Sequence, residues 1–199
     1  LTECLEKSLL KLAYDEQSSK KKIRHQAIIT LASMIRASTD KDKYEHIVKG
    51  FIKNLQDSKL ESEQAIYVYA LQNADTFKSR LELIDIALGI DEEYKELSGH
   101  IRALAANCIK YEQFRGFLIQ NLIDNGKQDF EVRATALYVL LDSIDKQQSS
   151  EIISNLLLDP DDDDLYQLLY ARLQSISKMT SRNKAKAMEA AKIFHQLTK

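Results

Sequence analysis

Proline occurs once and glycine five times in 199 residues, and tryptophan is absent. So little turn-forming material excludes folds built from many tight hairpins. Val and Thr are scarce beside Leu, Ala, Ile, Lys and Glu, which favours helix along the whole chain. Cysteine occurs twice, too few for a disulfide framework. Cys4 and Cys108 are read as two free thiols, each part of a helix face, with a single pairing left open if the fold brings them together. No stretch approaches the roughly 20 apolar residues of a spanning helix, so no transmembrane insertion is expected. The opening Leu-Thr-Glu-Cys-Leu-Glu-Lys lacks the form of a signal peptide. It also lacks an initiator Met, so the chain is read as a fragment of a larger protein. The formal charge of -2 gives no global attraction to nucleic acid or anionic membrane.

What is present is a repeated unit. Ile23-Arg24-x-x-Ala27-Ile28, Ile101-Arg102-x-x-Ala105-Ala106 and Val132-Arg133-x-x-Ala136-Leu137 each place a small Ala at a helix crossing point. The hydrophobic content of 44% can fill a substantial core. The expected fold is all-α: a right-handed α-solenoid of about five antiparallel helix pairs, HEAT- or armadillo-like, forming one helical-repeat domain over residues 1–199.

Helical periodicity predicts a first helix near 2–14 with Leu5, Leu9, Leu10 and Leu12 on its apolar face. The stretch 23–37, with Ile23, Ala27, Leu31 and Met34 on one side, is expected to pair with about 42–56. Small Ala27 would let those two backbones approach. Further pairs are predicted at about 60–73 with 78–89, 96–110 with 112–125, 129–144 with 148–158, and 162–178 with 183–197. Gly89 is the expected stop of its helix, because it accepts a left-handed cap without a Cβ clash. Asp159-Pro160-Asp161-Asp162 is a break followed by a favourable helix start.

The candidate chemical sites have plain structural readings. Asp161–Asp164 lacks the spaced oxygen ligands, bend glycine and later bidentate Glu of a calcium loop, so it is read as a solvated helix start. His25, His46, His100 and His195 are scattered without metal-ligand spacing. No nucleophile sits in an elbow or a Cys-His signature, and there is no P-loop or dinucleotide pattern. The chain is therefore read as a non-enzyme with no catalytic, cofactor-binding or metal residues and no cofactor. Lys20, Lys21 and Lys22 form a local basic patch, read as the solvated approach to the next helix. With Arg24 they could meet a phosphate backbone, but the near-neutral balance and dispersed acids count against a nucleic-acid partner. Tyr67, Tyr69, Tyr138, Tyr166 and Tyr170 are read as packing between helices, with some able to line a ligand-facing surface. Arg24, Arg102 and Arg133 are expected to form a ladder linking successive turns to acidic groups such as Asp129 or Glu131.

Read in order, four blocks resemble the superhelical domain of the large lipid transfer protein family, which includes vitellogenin, the lipophorins, apolipoprotein B and the microsomal triglyceride transfer protein. They are Ile23–Met34, Ile66–Ala74, Glu131–Leu137 and Leu169–Ile176, and the resemblance spans most of the chain. The Ala-Leu-x-Asn-Ala element at Ala70–Ala74 is its most specific part. Gln72 stands where many relatives carry Gly, and the prolines that relatives have near the following connections are missing. Those departures lean away from the yolk-protein branch and toward the triglyceride-transfer branch. The resemblance implies a scaffold that supports lipid-binding sheet domains of the same full-length protein and contacts protein disulfide isomerase. Lipid would be met mainly outside this segment, in the endoplasmic reticulum lumen or after secretion. The alternative is a HEAT-like protein-binding scaffold unrelated to lipid and cytoplasmic.

Overall fold

A computed structural model describes residues 3–14, 21–109, 121–123, 128–144, 147–158, 163–178 and 184–197. The described residues are helical with no strand. They fall into two compact units, Leu1–Ile109 and Lys110–Lys199.

The first unit holds α1 (Glu3–Tyr14), α2 (Lys21–Ala37), a 3-10 turn (Asp42–Tyr44), α3 (Glu45–Asp57), α4 (Glu61–Ala74), α5 (Phe77–Leu88), the four-residue α6 (Glu92–Lys95) and α7 (Gly99–Cys108). The closest backbone approaches of α2 are to α1 and α4, and α4 in turn meets α7. Alternate helices α2, α4 and α7 thus lie side by side, while α3 packs on α4 and α5 packs on α7. Small residues permit this: Ala13, Ala27, Ala32, Ala70, Ala74, Ala105 and Ala106 are all buried. Ala27 therefore serves a different junction from the one expected, since the partners nearest to α2 are α1 and α4, not 42–56. The large core side chains between them include Ile28, Leu31, Ile35, Phe51, Leu55, Leu71 and Ile101.

Several expected faces shift. Leu5 and Leu12 are exposed, and α1 turns Ala13 inward instead, because Ala allows the close approach to α2. Ile23 and Leu81 are likewise exposed. The predicted helix 96–110 begins only at Gly99, where the Ser98 hydroxyl accepts from Ile101 N–H at 3.4 Å and caps the first turn. The predicted start at 42 is a 3-10 turn, with the Asp40 carboxylate accepting from Lys43 N–H at 3.3 Å. Before α5, Thr76 and Ser79 form a reciprocal capping box, with bonds of 2.9 and 3.0 Å.

The second unit contains α8 (Phe130–Leu141), α9 (Gln147–Leu158), α10 (Asp163–Ser177) and α11 (Lys184–Leu197), plus helical residues 121–123. Helices α10 and α11 form the expected last pair, closed by Tyr170 against Phe194 at 5.0 Å between ring centres. α8 also meets α9 and α10. It is apolar on nearly every side, burying Val132, Ala136, Leu137, Val139 and Leu140 among others. Most of the predicted 112–125 helix lies outside the described residues, as do Lys20 and Asp159–Asp162.

The repeat motif has a structural meaning beyond its alanine. Arg24, Arg102 and Arg133 are each the fourth residue of their helices. Arg102 Nη2 donates to the Ala87 carbonyl at 3.2 Å and Arg133 Nε to the Ile123 carbonyl at 2.8 Å, so both reach back to main chain that precedes their own helices. The fourth residues of α4 and α5 do the same with other side chains. Gln64 Nε2 donates to the Ser58 carbonyl at 2.8 Å, and Arg80 Nη2 reaches the Asp75 carbonyl at 3.5 Å while its Nε pairs with the Asp75 carboxylate at 3.1 Å. Arg102 and Arg133 thus donate to preceding main-chain carbonyls, and Arg24 forms an ion pair with the acidic Glu63.

Gly89 closes α5 with φ +62°, as expected, and Ile90 N–H returns to the Asp85 carbonyl at 3.2 Å. A Cβ at Gly89 would lie 2.9 Å from Arg102 Nη2 and 3.0 Å from its Cζ. The same glycine therefore satisfies the left-handed turn and leaves room for the Arg102 clamp. Gly89→Ala is expected to cost about 1–3 kcal/mol from the backbone alone, measured by urea unfolding. An unchanged midpoint would show that Arg102 can be displaced freely and that the turn tolerates a side chain.

Candidate functional site

The third residue of each repeat helix is an apolar core position in α7 and α8, where Ile101 and Val132 are fully buried. In α4 that slot is held by Glu63, only 7% exposed. A carboxylate is tolerated there because cations surround it. Arg24 Nη2 donates to Glu63 Oε2 at 2.6 Å, Lys21 Nζ lies 2.9 Å from Oε1, and His25 Nε2 lies 3.3 Å from Oε2. Lys21 Nζ also donates to the Ser62 hydroxyl at 3.2 Å. Burial by itself raises the Glu63 pKa, but the hydrogen bonds from Lys21, His25 and Arg24, with the positive charge of Arg24, outweigh it and hold the carboxyl below its ordinary value. Of the sequence-predicted candidates, this brings together Lys21, Arg24 and His25 and turns Lys21 of the basic patch onto an internal acid.

Glu63 stands at the wall of an open cleft of about 420 Å³. The cleft is framed by the end of α1, Arg24 of α2, the C-terminal turn of α3 and the first turns of α4. Tyr14 and Tyr67 supply aromatic walls, and Phe51 lies behind Tyr67 with ring centres 6.4 Å apart. Tyr14 reaches over Gly50, where a Cβ would sit 2.6 Å from the Tyr14 hydroxyl oxygen and would make that exposed ring shift. Desolvation raises the Tyr14 pKa to about 12, with Tyr67 adding to the rise. Tyr67 is also raised, chiefly by burial, with opposing influences from Arg24 and Glu63. Both phenols therefore remain protonated at neutral pH.

A second polar knot lies farther along the same unit. Tyr94, 1% exposed, donates to Glu82 of α5 and accepts from Gln56 Nε2 of α3 at 3.2 Å. It pins the short α6 to two longer helices. Burial raises the Glu82 pKa despite the Tyr94 bond, and burial together with Asp91 raises Asp85. Burial and the neighbouring Glu82 carboxylate push the Tyr94 hydroxyl well above its ordinary value.

The other candidates stay apart. His46 Nδ1 lies 3.1 Å from the Lys43 carbonyl, and His100 and His195 are exposed on α7 and α11. Tyr69 is exposed on α4, Tyr166 is half-buried on α10, and Tyr138 lies under Arg172 at 4.5 Å from the guanidinium carbon. Cys4 is exposed and Cys108 is buried, and the two do not form a disulfide with each other. Among the described residues no group of three or more His, Cys, Asp and Glu is placed to hold a metal ion, and no helix is long and apolar enough to cross a membrane. Sequence reasoning missed Glu63, Tyr14 and Asn54. The signal for Glu63 was available as an acid in the register slot that Ile101 and Val132 fill elsewhere.

The two polar knots respond to pH with opposite sign. Glu63, lowered on folding, stabilises fully above its unfolded value of about 4.5, and that stabilisation is lost as pH falls through the folded value. Glu63→Gln is expected to lose about 2 kcal/mol at pH 7 in urea unfolding, with a smaller deficit in acid. Glu82, raised on folding, contributes most below the ordinary carboxylate value and loses that contribution as pH rises through its folded value. The stability of Glu82→Gln relative to the parent should therefore improve across that rise; a difference independent of pH would refute the assignment. In comparisons with known proteins, no family model, no curated protein and no solved structure matches this chain.

Proposed function

We propose that this chain is the helical scaffold domain of a lipid transfer or lipoprotein-assembly protein, working by its surfaces and not by catalysis. The observation that carries the reading is where the four resembling blocks fall. Ile23–Met34 lies in α2, Ile66–Ala74 in α4, Glu131–Leu137 in α8 and Leu169–Ile176 in α10, and within each unit the two block-bearing helices pack on each other. Ala70, Leu71 and Ala74 of the most specific element are fully buried. The blocks thus lie on alternate helices that pack on each other, which supports a reading as stacked helix pairs. On this reading the scaffold supports sheet domains that hold lipid, contacts protein disulfide isomerase, and resides in the endoplasmic reticulum lumen or is secreted.

One observation favours the broader reading of a protein-binding scaffold unrelated to lipid. Phe77 and Leu81, one turn apart on α5, are 76% and 45% exposed, although the opposite side of the helix already buries Leu83, Ile86 and Ala87. A helix apolar on two faces is suited to a second protein surface.

Sequencing the full-length parent by mass spectrometry of source material separates the two. The lipid reading expects a secretory leader and sheet-forming domains on both sides of this segment. A leaderless parent ending near the segment would overturn that reading and leave the broader scaffold.

A further inference from the structure

Helix α5 has a second apolar side. Ser79, Leu83, Ile86 and Ala87 are buried, while Phe77, Leu81, Ile84 and Leu88 recur at steps of four, three and four residues on the opposite side. Phe77 and Leu81 are exposed, and Ile84 and Leu88 are half-buried. The neighbouring α3 shows the ordinary pattern of an outer helix, with Glu45, His46, Lys49, Lys53 and Gln56 at its exposed positions. An apolar seam of heptad spacing fits a second helix with the same spacing, and α5 is itself such a helix.

The charges beside the seam select the partner. Arg80 on one flank is held by Asp75 at 3.1 Å. On the other flank stand Lys78 and Asp85, about 10 Å apart along the helix and so beyond each other's reach. Neither has an ion-pair partner among the described residues. Lys78 lies within electrostatic reach of Glu82, which already accepts from Tyr94, and Asp85 feels the like charge of Asp91. Turned end for end about a two-fold axis between Glu82 and Leu83, a second α5 sets Leu81 of one copy against Ile84 of the other, and Phe77 against Leu88. The same rotation brings Lys78 of each copy to within about 3 Å of the level of Asp85 of the other. The seam is therefore complementary to itself in both shape and charge.

We propose that two copies of this chain pair through antiparallel α5 helices, with Phe77, Leu81, Ile84 and Leu88 as the seam and reciprocal Lys78–Asp85 ion pairs along its edge. One three-turn helix per copy buries less than the standard interface of about 1,600 Å², so the dimer is weak, with a Kd on the order of 100 µM. The pairing names what covers the face that favours a protein-binding scaffold. It holds with or without lipid-binding domains in the parent, so its failure is read separately from the parent sequence.

Sedimentation velocity of the whole chain from about 5 to 500 µM tests it, and a shift from monomer to dimer across that range is expected. Leu81→Glu, at an exposed position, should raise Kd at least tenfold by placing a carboxylate in the seam. Lys78→Glu and Asp85→Lys should each weaken association by roughly fivefold, and the double variant, which exchanges the two charges, should restore it. Leu12→Glu on the exposed side of α1 should leave it unchanged. A chain that stays monomeric up to about 500 µM would overturn the proposal and leave the α5 face to a different protein. A dimer that Leu81→Glu does not weaken, or a double variant that associates no better than the single ones, would overturn it as well. Thermal melts of each variant verify folding, so lost association is distinguished from lost structure.

Discussion

Every α-helix leaves its last carbonyls without an intrahelical donor, and most chains close many of these ends with glycine. This chain has five glycines and uses the next helix instead. Gln64, Arg80, Arg102 and Arg133 occupy the fourth position of their own helices and donate to main-chain carbonyls that precede them. The arrangement ties the first turn of each of these helices to main chain that precedes it, so the spacing there is set by a bond as well as by packing. Positive side chains also suit the negative end of the helix dipole. Where a left-handed turn is used, its form fits the clamp: Gly89 leaves space for Arg102, and Asp75, at φ 51°, offers Arg80 both its carboxylate and its carbonyl.

The departure from this pattern is the most polar corner of the first unit. Arg24 has the right position but turns to Glu63 on α4. A buried carboxylate in an apolar register slot stabilises only while its partners stay charged and close. The structure meets that condition with Lys21 and Arg24 of α2. Between α3 and α5, Tyr94 plays a different part, a neutral donor that gives a half-buried acid a hydrogen-bond partner. The unit thus balances acids whose ionisation favours the fold against acids whose ionisation opposes it.

Much of the fold was legible in the sequence because helical periodicity is local. The α4, α5, α10 and α11 segments, the Gly89 stop and the repeated Arg all emerged from spacing alone. What periodicity does not encode is which helix meets which. Ala27 announces a close crossing but not its partner, and the partners proved to be α1 and α4. Leu5 and Leu12 have the spacing of a core face, yet the smaller Ala13 is the residue turned inward. Capping chemistry explains the boundary at Gly99, since Ser98 competes for the first turn. The cleft was least legible, because Tyr14, Asn54 and Tyr67 converge from three helices and none carries a motif.

The two thiols of the first unit differ sharply in access: Cys4 lies on the open side of α1, while Cys108 ends α7 in the interior. A maleimide would therefore label the chain in two separated phases, one immediate and one gated by opening of the α7 end. The unaltered protein carries its own chemical clock for that opening, read by mass as the second adduct accumulates.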